Sequence, residues 1–374
     1  MYMEIGIMKK YIILPLIIFI ISCSSEESKH LRVVQLEGTP YNRGLIHGQT
    51  LKEEIKIIIE KFINTTEDMT KMKFEDNKEN FLNKTKYMDS ISKWNPDLIQ
   101  EIKGIADGSG IDFDTIFLFQ IGEELHSNFK LTNSFKCTAI GVNKTDKTPC
   151  YVAQNMDPPY FLHGFPTLLH IKHKRSDLEF FIFTSPGLIA LNGLNSKGIG
   201  LVANSLPDFY YNLEGLPVAF VIRSVLERES FEEAVKFILN IKHAKAQNYI
   251  IGGPNKAVCF ECFDDRKANF KPSDNSEITY HTNHYLKLNH ISNSKYCSRL
   301  TIMCEEIENR NYNIGLDDIK EILCLKKWNA GRPISHAFTY GSTIMELSEF
   351  PVLYITPDQP DKERYLRYDF SRSK

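Results

Sequence analysis

Neither sign of charge dominates this chain. Its 45 Lys and Arg face 47 Asp and Glu, a formal net charge of −2 over 374 residues. No basic stripe is present to neutralise a phosphate backbone, and no acidic tail to hold a charged partner. Nucleic-acid binding is therefore excluded as a reading. Internal repeats are missing. So are long apolar runs, apart from Tyr11 to Ile21, which is too short to span a bilayer comfortably. The eight cysteines (23, 137, 150, 259, 262, 297, 304 and 324) show no small-domain disulfide spacing. Setting Cys23 aside leaves an odd number, which fits at least one free thiol. Metal-site patterns are incomplete. Cys259-Phe-Glu-Cys262 lacks a second Cys or His pair at zinc spacing and reads as a buried strand pair. His281 and His284 lack a third ligand. The expectation is no metal and no cofactor. What is present is a globular composition, 42% hydrophobic and 11% aromatic, in a chain long enough to bury a large core in one or two domains.

The first 22 residues read as a secretory signal. Lys9 and Lys10 precede the apolar run, which ends at Ser22-Cys23. The stretch Ile20-Ile-Ser-Cys23 resembles a bacterial lipobox, which implies lipidation of Cys23 and attachment to a bilayer. Residues 23–30, with Ser24-Ser-Glu-Glu-Ser28, then form a polar tether. The alternatives are an ordinary cleaved signal or an uncleaved anchor. Met8 is a candidate start, because residues 1–7 add nothing to the signal. The expected location is the bacterial cell envelope, on a membrane surface.

Residues 31–136 read as mostly helical. Apolar residues at 45, 46, 51, 55, 58, 59 and 62 give an amphipathic helix over 44–62, and Asn95-Pro starts another through Ala106. From residue 137 the texture changes to strands, expected at 137–142, 150–155, 167–174, 178–184, 188–193 and 198–204. A helical stretch covers 215–241, with a capping box at Ser230-Phe-Glu-Glu233. Strands return at 248–252 and 256–263. Helices follow near 294–308 and 316–326, and the last strands at 337–346 and 352–355. This order suggests two sheets between helical layers, an α+β fold.

Cys137 opens one apolar, β-branched run, and Gln154-Asn-Met-Asp157 closes the next. A polar turn, Asn143-Lys-Thr-Asp-Lys-Thr-Pro149, joins them into a hairpin. Its geometry is expected to bring Cys137 beside Asn155 and Asp157, neighbours that can manage a thiol proton.

The ordered segments Tyr41-Asn-Arg-Gly-Leu-Ile-His-Gly48, Gly104-Ile-Ala-Asp-Gly-Ser-Gly110, Cys137-Thr, Gln154-Asn-Met-Asp157, Gly193-Leu-Asn-Ser-Lys-Gly198 with Asn204, and His281-Thr-Asn-His284 carry a resemblance. Over about residues 31–360 the chain resembles the acyl-coenzyme A:6-aminopenicillanic-acid acyltransferase family of N-terminal-nucleophile hydrolases. More distantly it is similar to choloylglycine hydrolases and penicillin V acylases. The resemblance implies a four-layer αββα sandwich. It also implies a precursor cut between Lys136 and Cys137 by the Cys137 thiol, with residues 31–136 retained as a helical pro-segment beside a catalytic domain, 137–374. By the same resemblance Cys137 is the nucleophile and Asp157 orients its freed amine. Asn283 donates to the oxyanion, Asn204 stands near the same hole, and Arg299 supports Cys137 and Asp157. Gln154 stands where the choloylglycine relatives carry an arginine. Lys136 departs from the small residue expected before the nucleophile. Its long side chain either hinders the attack or points to solvent. Tyr41 and His47 read as packing and capping residues.

The implied activity is amide hydrolysis or N-acyl transfer on small N-acyl compounds through a thioester. One alternative is a choloylglycine hydrolase or penicillin V acylase activity. Another, of a different class, is a catalytically silent surface binding module, for which Lys136 is the motive. A homo-oligomer is compatible with all three.

Overall fold

The computed structural model describes residues 31–128, 136–173, 177–207, 211–273, 276–288, 297–326 and 333–370. The signal run, the tether and Cys23 lie outside the described residues. The helical half opens with strand β1 (Arg32–Gly38). Seven helices follow: α1 (Pro40–Thr50), α2 (Lys52–Thr70), α3 (Phe74–Lys84), α4 (Tyr87–Trp94), α5 (Asp97–Ser109), α6 (Phe113–Gln120) and α7 (Gly122–Asn128). The mostly helical reading of 31–136 holds except at β1, a strand it did not include. Its sequence alternates, burying Val34 and Leu36 between exposed Val33, Gln35 and Glu37, the two-residue period of a strand. β1 pairs in parallel with β4 (Thr167–His173), so the helical half supplies an edge of the larger sheet. The helix expected over 44–62 is two helices, broken at Leu51.

Beyond residue 136 come β2 (Lys136–Val142), β3 (Cys150–Asp157), β4, β5 (Glu179–Thr184), β6 (Asn192–Asn195) and β7 (Gly200–Ser205). After α8 (Val218–Leu226) and α9 (Phe231–Asn240) the chain returns as β8 (His243–Gly252), β9 (Ala257–Asp264), β10 (Arg266–Phe270) and β11 (Ile278–His281). It ends with α10 (Ser298–Asn309), α11 (Leu316–Leu323), β12 (Gly341–Leu347), β13 (Val352–Thr356) and β14 (Leu366–Asp369). The strands β10, β11 and β14 are too short and polar to stand out in the sequence. Residues 188–191 are irregular where a strand was expected, and β6 starts only at Asn192.

Two sheets result, of eight strands (β1-β4-β5-β6-β7-β8-β9-β10) and six (β11-β2-β3-β12-β13-β14). Each buries both faces, and three apolar cores record the layering. Helices α1–α9 pack on the outer face of the large sheet through residues such as Ile55, Phe62, Ile182 and Ile251. Ala139, Val152, Phe183, Val202, Ile250 and Met345 fill the space between the sheets. Ile140, Ala153, Ile302, Ile319 and Ile322 join the small sheet to α10 and α11. This is the αββα sandwich.

The glycine-rich segments around residues 44 and 104 have a packing role. A Cβ on Gly44 would lie 1.8 Å from the Glu101 carbonyl oxygen, and one on Gly104 would lie 2.1 Å from that of Tyr41. α1 and α5 touch backbone to backbone, which glycine alone permits. Beside this contact, Glu101 is fully buried between Arg43 of α1 and Arg223 of α8. Its carboxylate accepts from Arg43 Nε (3.2 Å) and Nη2 (3.0 Å) and from Arg223 Nη1 (2.6 Å) and Nη2 (3.0 Å). Burial alone would raise the Glu101 carboxyl; the two guanidiniums outweigh it and hold it at about 2. His47 is also buried, and its Nε2 accepts from the Gly187 N–H at 3.0 Å. Tyr41 donates to Asp107 at 2.8 Å. Both are structural, as the sequence suggested.

Candidate active site

Cys137 is the second residue of β2 and is 3% exposed. Strand alternation sends it, with Ala139 and Gly141, into the space between the sheets. The register pairs Lys136 with Asp157, Cys137 with Met156 and Thr138 with Asn155. Asn155 therefore shares the face of Thr138, opposite the thiol. Its amide donates to Leu323 O (2.8 Å) and Ile334 O (3.1 Å), locking α11 to the small sheet. The expected contact between Asn155 and Cys137 is thus corrected: adjacency along a hairpin does not overcome the two-residue period.

Asp157 ends β3, where Pro158 and Pro159 stop the strand. It is buried, and neither carboxylate oxygen has a hydrogen-bond partner among the described residues. His336 Nε2 lies 3.1 Å from Oδ2, off hydrogen-bonding alignment. His336 was not anticipated. It arrives on a distant loop with no motif around it. Burial and the Asp157 charge push the Cys137 thiol well above its ordinary value, against the Asp157 backbone N–H and Arg299. A thiol shifted in this direction needs a base before it can act as a nucleophile.

Asn283 follows β11 and accepts at Oδ1 from the Cys137 backbone N–H (2.8 Å) and from Arg299 Nη2 (2.9 Å). Both partners are donors, so the shared atom is the carbonyl oxygen. The Nδ2 group then donates to Ser205 O at 2.9 Å. Asn283 thus reaches the backbone nitrogen of Cys137 through its carbonyl oxygen, while its amide group is taken up by Ser205 O. Arg299, buried on the first turn of α10, donates through Nη1 to Cys137 O and to Thr138 Oγ1 (2.9 Å). It supports Cys137; its hydrogen bonds among the described residues go to Cys137, Thr138 and Asn283, not to Asp157. Asn204 donates to His281 O (3.1 Å), and Gln154 donates to Ala203 O (2.6 Å) and to Asn204 Oδ1 (3.4 Å). Gln154 therefore ties the two sheets together beneath the thiol.

A cavity of about 270 Å³ opens at Lys136 and Asp157, with Met69 of α2, His126 of α7, Phe161 and Phe338 on its walls. The half-buried Lys136 side chain lines this cavity instead of simply entering solvent. Close by, Thr282 Oγ1 lies 3.4 Å from Cys297 Sγ at the start of α10. Burial opposes ionisation there, but the hydrogen bond from His284 and the Arg299 charge bring the Cys297 thiol down to about 6. All seven described cysteines are free. Cys259 packs between the sheets and Cys262 packs outward, so this pair shares no site. Among the described residues no group of three potential ligands is placed to hold a metal ion, and no helix is long and apolar enough to cross a membrane.

The αββα layering is the fold of the N-terminal-nucleophile hydrolases. The chain belongs to the acyl-coenzyme A:6-aminopenicillanic acid acyl-transferase family, whose model matches residues 142–328. That span holds Asp157, Asn204, Asn283 and Arg299 and begins just beyond Cys137. The chain is 28% identical over 243 residues to protein dcd1A of Dictyostelium discoideum, covering 56% of this chain and 53% of that protein. It therefore spans about half that relative's length. It is 27% identical over 259 residues to the 40 kDa form of acyl-coenzyme A:6-aminopenicillanic-acid-acyltransferase of Emericella nidulans, covering 69% of this chain and 70% of that one. Among solved structures, a Caenorhabditis elegans N-acylethanolamine-hydrolyzing acid amidase ortholog aligns at TM-score 0.45 and 17% identity, over 63% of this chain and 100% of that one. A conjugated bile acid hydrolase mutant of Clostridium perfringens aligns at TM-score 0.37 and 14% identity, over 63% and 97%.

Proposed function

We propose that this chain is a self-processing cysteine amidohydrolase or N-acyltransferase acting on small N-acyl compounds. The observation that carries the reading is the buried Asp157 carboxylate, without a hydrogen-bond partner among the described residues, set across the strand pair from the Lys136–Cys137 peptide. His336 Nε2 lies 3.1 Å from Oδ2 but off hydrogen-bonding alignment, and a buried carboxylate without an aligned donor is unfavourable. An ammonium created at position 137 would satisfy it.

In the first stage the Cys137 sulfur attacks the Lys136 carbonyl carbon. The C–N bond breaks, the thiol proton passes to the departing nitrogen, and the acyl group rests on sulfur as a thioester. Water hydrolyses this thioester, leaving a Lys136 carboxylate and an α-amine on Cys137. That amine has an ordinary pKa near 8 and acts as base for its own side chain. In turnover it takes the thiol proton as sulfur attacks the substrate carbonyl, and returns it to the leaving nitrogen. Water or a second amine then releases the acyl group. Arg299 and Asn283 hold the Cys137 backbone throughout the first stage. The cavity at Lys136 and Asp157, walled by Met69, Phe161 and Phe338, suits an apolar acyl group.

The lipid anchor at Cys23 belongs to the same proposal and places the enzyme on a membrane surface. Intact mass spectrometry of the mature protein tests all parts together. A lipidated residue 23 and a break between 136 and 137 are expected, with neither break nor amidase activity in Cys137→Ala. An unbroken chain that hydrolyses amides normally refutes the mechanism, and an unmodified Cys23 refutes the anchor.

A further inference from the structure

Glu261 lies between the two cysteines of the Cys259-Phe-Glu-Cys262 stretch and is fully buried on β9. Its carboxylate faces one loop. Oε1 accepts from His281 Nε2 at 2.9 Å and from the Leu286 N–H at 2.5 Å. Oε2 accepts from the Lys287 N–H at 3.1 Å and the Leu288 N–H at 2.6 Å. Three successive backbone N–H groups converging on an anion form a nest, and His281 adds a fourth donor. These donors straddle Asn283, two residues before it and three to five after it. Asn283 is the side chain whose Oδ1 holds the Cys137 N–H.

We infer that Glu261 is a positioning residue for the proposed reaction, fixing the 281–288 loop so that Asn283 meets the nitrogen of the bond to be cut. The inference rests on the proposed self-processing for its catalytic consequence, though not for its geometry. A neutral amide at this position turns a donor group toward the nest and removes the charge that four N–H groups share. The loop then loosens on both sides of Asn283.

Two measurements test this, using the full chain. In the Cys137→Ala background, which the proposed mechanism leaves uncut, hydrogen exchange is followed with and without Glu261→Gln. The amide at position 137, which Glu261 does not touch, is expected to exchange about tenfold faster or more, along with those of 286–288. In the Cys137 protein, Glu261→Gln is expected to slow cleavage about tenfold and to lower kcat per cut chain by about the same factor, with KM within about twofold. Faster exchange at 286–288 alone, with position 137, cleavage and kcat unchanged, overturns the inference and leaves Glu261 a purely structural anchor. Amide turnover by Cys137→Ala itself refutes the proposed function instead, and the exchange result stands apart from it. If Glu261→Gln does not fold, His281→Gln removes one donor and is held to the same outcomes.

Discussion

Replacing Glu101 by Gln is expected to loosen the helical half from the sheets more than any surface change. Glu101 accepts four hydrogen bonds from Arg43 and Arg223, and all three residues are buried. The carboxyl sits at about 2 against an ordinary 4.5. At about 1.4 kcal/mol per unit, this corresponds to a stabilisation on the order of 3 kcal/mol. The folded value is depressed, so the contribution is fully present above pH 4.5 and is lost as pH falls from 4.5 toward 2. Glu101→Gln also leaves two guanidiniums buried around a neutral group, a loss of about 3–5 kcal/mol. Calorimetry on the Cys137→Ala protein, a single chain under the proposed mechanism, reads both effects. The expected drop in Tm at pH 7 is at least about 4 °C, and the portion of the acid limb between pH 4.5 and 2 that Glu101 supplies should vanish. A Tm within about 2 °C of the parent, or an acid limb unchanged by the substitution, would refute the reasoning.

Other substitutions probe separate features. Gly44→Ala drives a Cβ into the Glu101 carbonyl and should cost about 3 kcal/mol or more. Gly315→Ala, whose Cβ would meet nothing nearer than 3.6 Å, should cost under about 1 kcal/mol; similar Tm values for the two would contradict the helix contact. Burial and then Glu123 raise the Glu124 carboxyl to about 8. The folded chain therefore holds this proton between pH 4.5 and 8, where the unfolded chain has lost it. Stability should fall as pH rises through that window, on the order of 5 kcal/mol in all. Glu124→Gln should flatten the fall and exceed the parent in Tm at pH 8; an identical pH profile would argue against it. Cys297, at about 6, should react with iodoacetamide at pH 7 ahead of Cys304 and Cys324, whose thiols are raised mainly by burial. Peptide mapping that finds Cys304 modified first would reject that ordering.

The layered fold was legible because its signals are local. The apolar stripe on α2, the capping box at Ser230 and the alternating runs of β2 and β3 each follow from a few neighbouring residues. β1 carried the same alternation, but the helical periodicity that follows it overshadowed seven residues. The candidate site was legible as far as named motifs reached, to Cys137, Asp157, Asn283, Asn204 and Arg299. The error at Asn155 was avoidable: counting by twos along β2 and β3 places it with Thr138. His336 was not legible. Its approach to Asp157 depends on where a loop before β12 comes to rest, and no local pattern encodes that. The glycines of α1 and α5 were visible as marks of resemblance, but their physical meaning needs the partner helix, because each excludes a side chain against the other's backbone.

A break between residues 136 and 137 would sever one covalent link and little else. β1 remains hydrogen-bonded to β4 along its whole length. Glu101 still joins Arg43, on one side of the break, to Arg223 on the other. His47 still receives the Gly187 N–H, and the Glu124 side chain still caps Val218 at the start of α8. The cavity at Lys136 and Asp157 draws Met69 and His126 from the helical half and Asp157, Phe161 and Phe338 from the other, so separation of the halves would remove one wall of it. A nucleophile that gains its base only by breaking the chain needs a fold in which the chain is not what keeps the halves together. Here a buried ion cluster, side-chain-to-backbone hydrogen bonds and a shared sheet supply that cohesion.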